Sequence, residues 1–145
     1  MTSYDDHELS RAIKDAASPD WAVRVAAGRQ LAMSTRIEEM ADVLVRLLLD
    51  AQDTGVTQET AHALLARKDA VGLRCVVMAM SRVTETWTAD ELNAALNGDA
   101  AWMTDEGTDR LILQLKELAG DADHGVRDEA RRILAQIRRP EESGA

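Results

Sequence analysis

Apolar side chains recur along this chain at steps of four residues, the spacing that places them on one stripe of an α-helix. Three such stripes share a pattern in which an aspartate stands three positions before a valine. They are Asp20, Val23, Ala27 and Leu31; Asp53, Val56, Thr60 and Leu64; and Asp123, Val126, Ala130 and Leu134. The third residue of each stripe is small, which lets a second helix approach closely. The pattern predicts three equivalent helices, each with an aspartate at or inside its first turn.

The spacing of these stripes indicates an internal repeat. The first two valines are 33 residues apart and the next two are 70 apart, which is about twice 35. A further copy is therefore expected near residue 91. Residues 88–91, Thr-Ala-Asp-Glu, have the order of a capping box, and Leu92 and Leu96 continue a stripe. This third copy is degenerate, because it lacks both the aspartate and the valine.

The segments between the repeated helices carry helix signals of their own. Their expected start residues are Ser3, Thr35, Asp69 and Thr108. The expected helices cover about 4–16, 36–50, 70–82 and 109–119. Strict alternation of apolar and polar residues, which is typical of strands, is absent. We therefore predict an all-α fold of eight helices in four antiparallel pairs. These form one domain with units 3–34, 35–68, 69–106 and 107–139 and a flexible tail at 140–145.

The order Asp-x-x-Val-Arg, followed by Ala and Leu at four-residue steps, resembles the HEAT repeat in its short bacterial form. It is clearest at 20–31 and 123–134 and weakest in the third unit. The resemblance implies a right-handed α-solenoid of the armadillo type, in which each helix pair covers the apolar stripe of the previous pair. It also implies a binding surface rather than a set of catalytic residues. Enzymes of this family that remove alkylated DNA bases hold the DNA against a basic concave face. A basic concave face is not expected in this acidic chain.

The charge of the chain is concentrated in one stretch. Among 145 residues, 26 acidic and 17 basic side chains give a net charge of −9, which argues against a general nucleic-acid binder. Residues 83–123 contain ten acids and two bases, a net charge of −8. They also include two of the three tryptophans and the longest expected connection, 97–107.

This stretch predicts a docking site for a basic protein partner, in which charge speeds the encounter and tryptophan anchors it. The candidate residues are Trp87, Asp99, Trp102, Asp105, Glu106 and Asp109. The alternative is that the acids solvate a loop while the tryptophans fill space between helices. A second candidate surface is the concave row of second helices, with Arg24, Glu59, His62 and Arg131. For Arg24 and Arg127, the alternative role is pairing with acids of the next unit.

The sequence gives no catalytic or metal-binding motif. His7, His62 and His124 fall in three different units, and the lone Cys75 lies in an apolar run typical of a core. We therefore expect no metal, no cofactor and no enzymatic activity. No segment is long and apolar enough to span a membrane, and no export signal is evident. A cytoplasmic location is expected, with no membrane partner.

These observations favour a non-catalytic protein-interaction module of a bacterial cytoplasm, acting as a monomer or a weak homodimer. A concrete version is an inhibitor or immunity-type protein that masks a basic partner. The alternative from another class is an enzyme or small-molecule binder with a pocket near Trp87 and Trp102. A deep closed pocket would favour that alternative, and an open surface would favour protein binding.

Overall fold

The computed structural model describes residues 2–50, 52–99 and 102–144, with side chains described for 6–50, 52–99 and 102–137. Over these residues the fold is all-α and contains eight α-helices, one short 3₁₀ helix and no strand. The helices are α1 (Thr2–Asp15), α2 (Trp21–Ala32), α3 (Ala41–Leu48), α4 (Thr54–Leu65), α5 (Ala70–Arg82), α6 (Thr86–Asn97), α7 (Asp105–Leu118) and α8 (His124–Gly144). The predicted fold class and helix number are confirmed at this level.

Aspartates begin the three helices that carry the repeated stripe. The Asp20 carboxylate accepts a hydrogen bond from the Ala22 amide at 2.9 Å, and Asp53 accepts one from Gly55 at 2.7 Å. Asp123 accepts one from the Val126 amide at 3.0 Å, at the start of α8. Each carboxylate satisfies a backbone donor that the first helical turn leaves without a partner. The predicted role of these aspartates is confirmed.

The start of α6 differs from its prediction. The helix begins at Thr86 rather than after Thr88, and Glu85 precedes it without making a side-chain cap. Thr88 is fully buried inside α6, where its hydroxyl finds no hydrogen-bond partner among the described residues. The capping box expected at residues 88–91 is therefore wrong. Burial of this face of the helix against its neighbours overrides the local capping pattern.

Helix α7 also begins earlier than expected. Thr104 provides its cap by accepting a hydrogen bond from the Gly107 amide at 3.0 Å. Thr108, the expected start residue, lies inside the helix and donates its hydroxyl to the Trp102 carbonyl at 2.7 Å. The connection before α7 is consequently shorter than the predicted 97–107. The last acidic residues of the predicted connection belong to α7.

Two other element bounds differ in detail. The helix predicted at 36–50 is divided into a 3₁₀ turn, Ile37–Met40, and α3, which ends at Leu48. The backbone of α8 continues to Gly144. The tail predicted at 140–145 falls on residues whose side chains lie outside the described ones.

The helices α2, α4 and α6 pack side by side in a row. Around this row, α1 packs on α2, α3 packs on α4 and α5, and α7 packs on α8. In a regular stack of helix pairs, α8 would lie beside α6. Instead α8 packs chiefly on α5 and α7, while α6 packs on α4 and, less extensively, on α5. The packing of α8 therefore departs from the regular stack of helix pairs that the sequence pattern predicts.

Small residues allow the close contact between α2 and α4. A Cβ added to Gly28 would overlap the Thr60 hydroxyl and would lie 3.4 Å from the Thr60 Cβ. Ala27, Thr60 and Ala130, the small members of the three stripes, are all buried, as the pattern predicts. Val56 and Val126 are fully buried, whereas Val23 in the first unit is half-buried.

Candidate functional site

An exposed tryptophan and two acidic residues lie in the first half of α6, and a third acidic residue directly precedes the helix. Trp87 is 54% exposed, and Asp90 and Glu91 follow it by three and four residues, so that they share its side of the helix. Glu85 is exposed at the residue before α6, and the helix itself contains no basic residue. We call Glu85, Trp87, Asp90 and Glu91 the α6 patch. Asp90 and Glu91 were interpreted above only as capping residues, although their spacing from Trp87 was already visible.

Trp102, the second candidate anchor, is buried. Only 5% of its surface is exposed, and the Lys68 ammonium lies 5.1 Å from the centre of its ring. The same ammonium forms an ion pair with Asp99 at 2.7 Å. Because the protein itself covers Trp102 and pairs Asp99, these two candidate residues are not presented to a partner in the way the sequence suggested. They hold the segment before α7 against the rest of the fold.

Lys68 joins three parts of the molecule. It lies between α4 and α5 with a φ of 59°, a left-handed conformation that costs a residue with a Cβ about 1 kcal/mol. Its carbonyl accepts a hydrogen bond from the Gln114 side chain of α7 at 2.9 Å, while its ammonium binds Asp99. These contacts offset the backbone cost and fix the approach to α7.

The other acidic candidates lie on α7 and not on α6. Asp105 and Glu106 are exposed in the first turn of α7, where negative charge is favourable because of the helix dipole. Asp109 is exposed one turn later. Since α7 packs on α5 and α8, the acidic stretch is divided between two helices. The first-turn acids of α7 have a structural explanation that Asp90 and Glu91 lack.

The two tryptophans of this region differ in their exposure to solvent. Trp87 is exposed on α6, whereas Trp102 is enclosed by the core. Five surface clefts, with volumes of about 210 to 660 Å³, are lined by residues of other helices. Trp87 therefore lies on the surface of α6 and lines none of these five clefts.

Two of the four concave-face candidates lie together between α2 and α4. Glu59 and His62 line an open cleft of about 660 Å³ with Arg29 and Met33, and Glu59 forms an ion pair with Arg29. Met33 is 76% exposed, which is unusual for a large apolar side chain. The sequence analysis missed Arg29 and Met33, because neither belongs to a repeated stripe.

The other two concave-face candidates have structural partners. Arg24 is only 6% exposed and donates to Asp50 at 2.8 Å and to the Ser18 carbonyl at 2.9 Å. Its expected place on an exposed concave face is therefore wrong. The alternative role, pairing with an acid of the next unit, is confirmed for Arg24. Arg131 is exposed and donates to the Ala119 carbonyl at 3.3 Å, near the end of α7.

No family model, curated protein or solved structure matches this chain. A function must therefore be argued from the surfaces that this chain itself presents.

Similar ion pairs join the later units. Arg74 of α5 binds Asp121 before α8 at 2.8 Å, and these hydrogen bonds lower the pKa of the Asp121 carboxyl below its usual value. The pKa of Asp123 is also lowered, mainly because its carboxylate accepts the Val126 amide. Among the residues whose side chains are described, Arg127 forms no ion pair with an acid of another unit. It donates to the Asp121 carbonyl at 2.9 Å, close to its own helix start.

Metal and thiol chemistry find little support in the described residues. No three His, Cys, Asp or Glu side chains among them converge as a metal site would require. Cys75 is buried in α5, and this burial raises the pKa of its thiol to about 11. A thiol with such a pKa is a poor nucleophile at neutral pH. Within the described chain, none of the helices has the combined length and apolarity of a membrane span.

Proposed function

We propose that this chain is a non-catalytic protein-binding module of a bacterial cytoplasm, and that the α6 patch binds a basic protein partner. Its architecture in this proposal is a short, right-handed HEAT-like α-solenoid whose last helix departs from the regular stack. The row of α2, α4 and α6 supports that architecture, as does the packing of α1 on α2 and of α3 on α4.

The observation that carries the functional part is the exposure of Trp87 on an acidic helix. Tryptophan is among the residues that most often dominate binding energy, because it buries a large ring and can donate a hydrogen bond. A folded chain gains nothing in stability from leaving half of such a ring in water. The position of α8 on α5 leaves α6 with fewer helix neighbours than α4 has, which keeps the patch accessible.

Charge selects the class of partner. Asp90 and Glu91 share the side of α6 that carries Trp87, Glu85 precedes the helix, and no base lies within α6. An acidic field of this kind attracts a partner with an excess of lysine and arginine and repels acidic competitors. Masking the basic surface of a partner, as an inhibitor or immunity-type protein does, is the concrete form that this proposal takes.

Affinity capture from a native lysate tests the proposal. Wild-type protein and the Trp87→Ala variant serve as baits, and captured proteins are identified by mass spectrometry. The expected result is a set of basic proteins whose recovery falls at least about tenfold with Trp87→Ala, as for a binding hot spot. Replacing Asp90 and Glu91 with Asn and Gln is expected to lower recovery as well, and more strongly at low salt.

Trp21→Ala is the matched control. Trp21 is also 54% exposed, but it lies at the start of α2 and outside the patch. Its removal takes away the same apolar area without touching α6. Equal recovery of every partner with the Trp87 and wild-type baits would refute the proposal, and so would an equal loss with Trp21→Ala.

A further inference from the structure

A trough crosses the surface of α1, α2 and α4. It consists of three adjoining clefts of about 600, 370 and 660 Å³. The first and second clefts share Glu8 and Gln30, and the second and third share Met33. Met33 stands in the middle of the trough with 76% of its surface exposed. Methionine adapts its shape to an incoming side chain, which suits it to the floor of a binding surface.

The trough carries unpaired positive charge at its α1 end. Its lining contains the bases Arg11, Lys14, Arg29, Arg36 and Arg67 and the acids Glu8 and Glu59. Arg29, Arg36 and Arg67 are each paired with carboxylates, which offset their charge. Arg11 and Lys14 form no ion pair among the described residues, which leaves unpaired positive charge at the α1 end of the trough. An occupant of the trough should therefore combine carboxylates with an apolar side chain.

The α6 patch of the same chain has this chemistry. It presents Trp87 among Glu85, Asp90 and Glu91, with no base on its helix. We propose that the trough of one copy binds the α6 patch of a second copy, with the Trp87 ring against Met33 and the patch carboxylates facing the bases of the trough. This inference concerns the free protein and does not depend on the proposed basic partner.

Each copy carries one trough and one patch. In this proposal two copies related by a two-fold axis make both contacts at once, which closes the assembly as a dimer. The charges of the two surfaces are opposite, so the association steers itself electrostatically and weakens as salt screens it. In the dimer the patch is covered by a surface that offers the same positive charge as a basic partner would.

Sedimentation equilibrium on the full chain tests the proposal. The wild-type mass is expected to rise from monomer to dimer between about 1 and about 500 μM by mass action, and to rise less at high salt. In a patch variant, Asp90→Arg with Glu91→Arg, the patch is positive and is repelled by the bases in the trough of a second copy of the same variant. In a trough variant, Arg11→Glu with Lys14→Glu, the trough is negative and repels the acidic patch of a second copy of the same variant. Each is expected to raise the dimer dissociation constant at least about tenfold.

Mixing the two variants supplies the decisive measurement. The patch of the first variant and the trough of the second have both changed sign, so they attract each other. The trough of the first variant and the patch of the second are unchanged and also attract each other. An equimolar mixture is therefore expected to restore the dimer. Helical circular dichroism of each variant must match the wild type, so that a folding defect is not mistaken for lost association.

Two controls match the change in net charge elsewhere on the surface. Glu117→Arg with Asp128→Arg makes the same change as the patch variant, and Arg110→Glu with Lys116→Glu makes the same change as the trough variant. All four control residues are exposed on α7 or α8. The proposal is overturned if the wild type stays monomeric over the whole range, if the controls weaken the dimer as much, or if the mixture fails to associate.

Discussion

Helices α4 and α6 occupy neighbouring places in the same row but have different surroundings. Helix α4 is packed against α2, α3, α5 and α6, whereas α6 is packed mainly against α4. Both bury a leucine fully, Leu64 in α4 and Leu92 in α6. Only α6 also exposes a tryptophan, although both helices lie in the same row. The difference shows that the number of helices packed on a member of the row decides how much of its apolar surface stays uncovered.

The difference has a structural cause in the last pair. Helix α8 begins beside the end of α5, where a Cβ on Gly125 would lie 3.3 Å from the Ser81 Cβ. The ion pairs of Arg74 with Asp121 and of Arg82 with Asp123 hold the start of α8 there. A helix placed on α5 in this way is not available to cover α6 as a regular stack would require.

The largest contrast is expected between two core leucines. Leu64→Ala should cost about 4 kcal/mol of unfolding free energy, and Leu92→Ala about 2 to 3 kcal/mol, because a less enclosed site collapses more easily around the deleted atoms. Urea unfolding monitored by circular dichroism measures both. Equal costs would mean that α6 is as tightly enclosed as α4, contrary to the comparison.

Two ion pairs between units give the next contrast. Arg24→Met leaves Asp50 buried without its main partner and should cost about 3 kcal/mol. Lys68→Met leaves Asp99 in a more exposed place and should cost about 1 kcal/mol. Their side chains are 7% and 10% exposed in the first pair and 27% and 20% in the second. Thermal unfolding of the two variants ranks them, and the reverse order would contradict this account of the cross-unit contacts.

The close contact between α2 and α4 predicts a smaller effect at Gly28. Gly28→Ala should cost a net of about 1 kcal/mol, because overlap with Thr60 outweighs the gain in helix propensity. Gly120→Ala is the matched control, since its added Cβ would meet only the Glu117 carbonyl at an ordinary 3.6 Å. Adding Thr60→Ala to Gly28→Ala should recover part of the loss. A stabilising Gly28→Ala would show that the helices are further apart than described.

The smallest effect is expected at the failed capping box of α6. Thr88→Val removes a buried hydroxyl that has no partner among the described residues, so it should be neutral or stabilise the fold by up to about 1 kcal/mol. Thr104→Val removes the cap of α7 and should cost about 1 kcal/mol. Differential scanning calorimetry compares the two. A clear loss with Thr88→Val would restore a capping or hydrogen-bonding role for this residue.

Local sequence signals were sufficient for most of the fold. Asp20, Asp53 and Asp123 mark their helices correctly because a capping carboxylate acts within a few residues. The bounds predicted for α5, 70–82, also agree with the structure. The predicted start of α6 was wrong because its threonine is buried inside the helix instead of capping it. The predicted start of α7 was wrong because an earlier threonine provides the cap. The place of α8 depends on contacts with a distant helix, which local patterns do not specify.

The candidate site was only partly predictable for the same reason. Composition identified the acidic stretch with its two tryptophans, but it did not distinguish the exposed Trp87 from the buried Trp102. Trp102 belongs to the hydrophobic core and also contacts Lys68, whose ammonium lies 5.1 Å from its ring, and local sequence specifies neither contact. The trough across α1, α2 and α4 was missed altogether, because Arg11, Arg29 and Met33 are brought together only by the packing of α1 and α2.

The accessibility of the α6 patch depends on the packing of α8 against α5. A pair of introduced cysteines tests this packing most directly. In a Cys75→Ala background, Ser81→Cys and Gly125→Cys place two Cβ atoms close to the separation of a disulfide. Mild oxidation should convert nearly all of the folded protein into an intramolecular disulfide, seen by intact mass and loss of free thiol. Folded, helical protein that keeps both thiols free under the same oxidation would contradict the account.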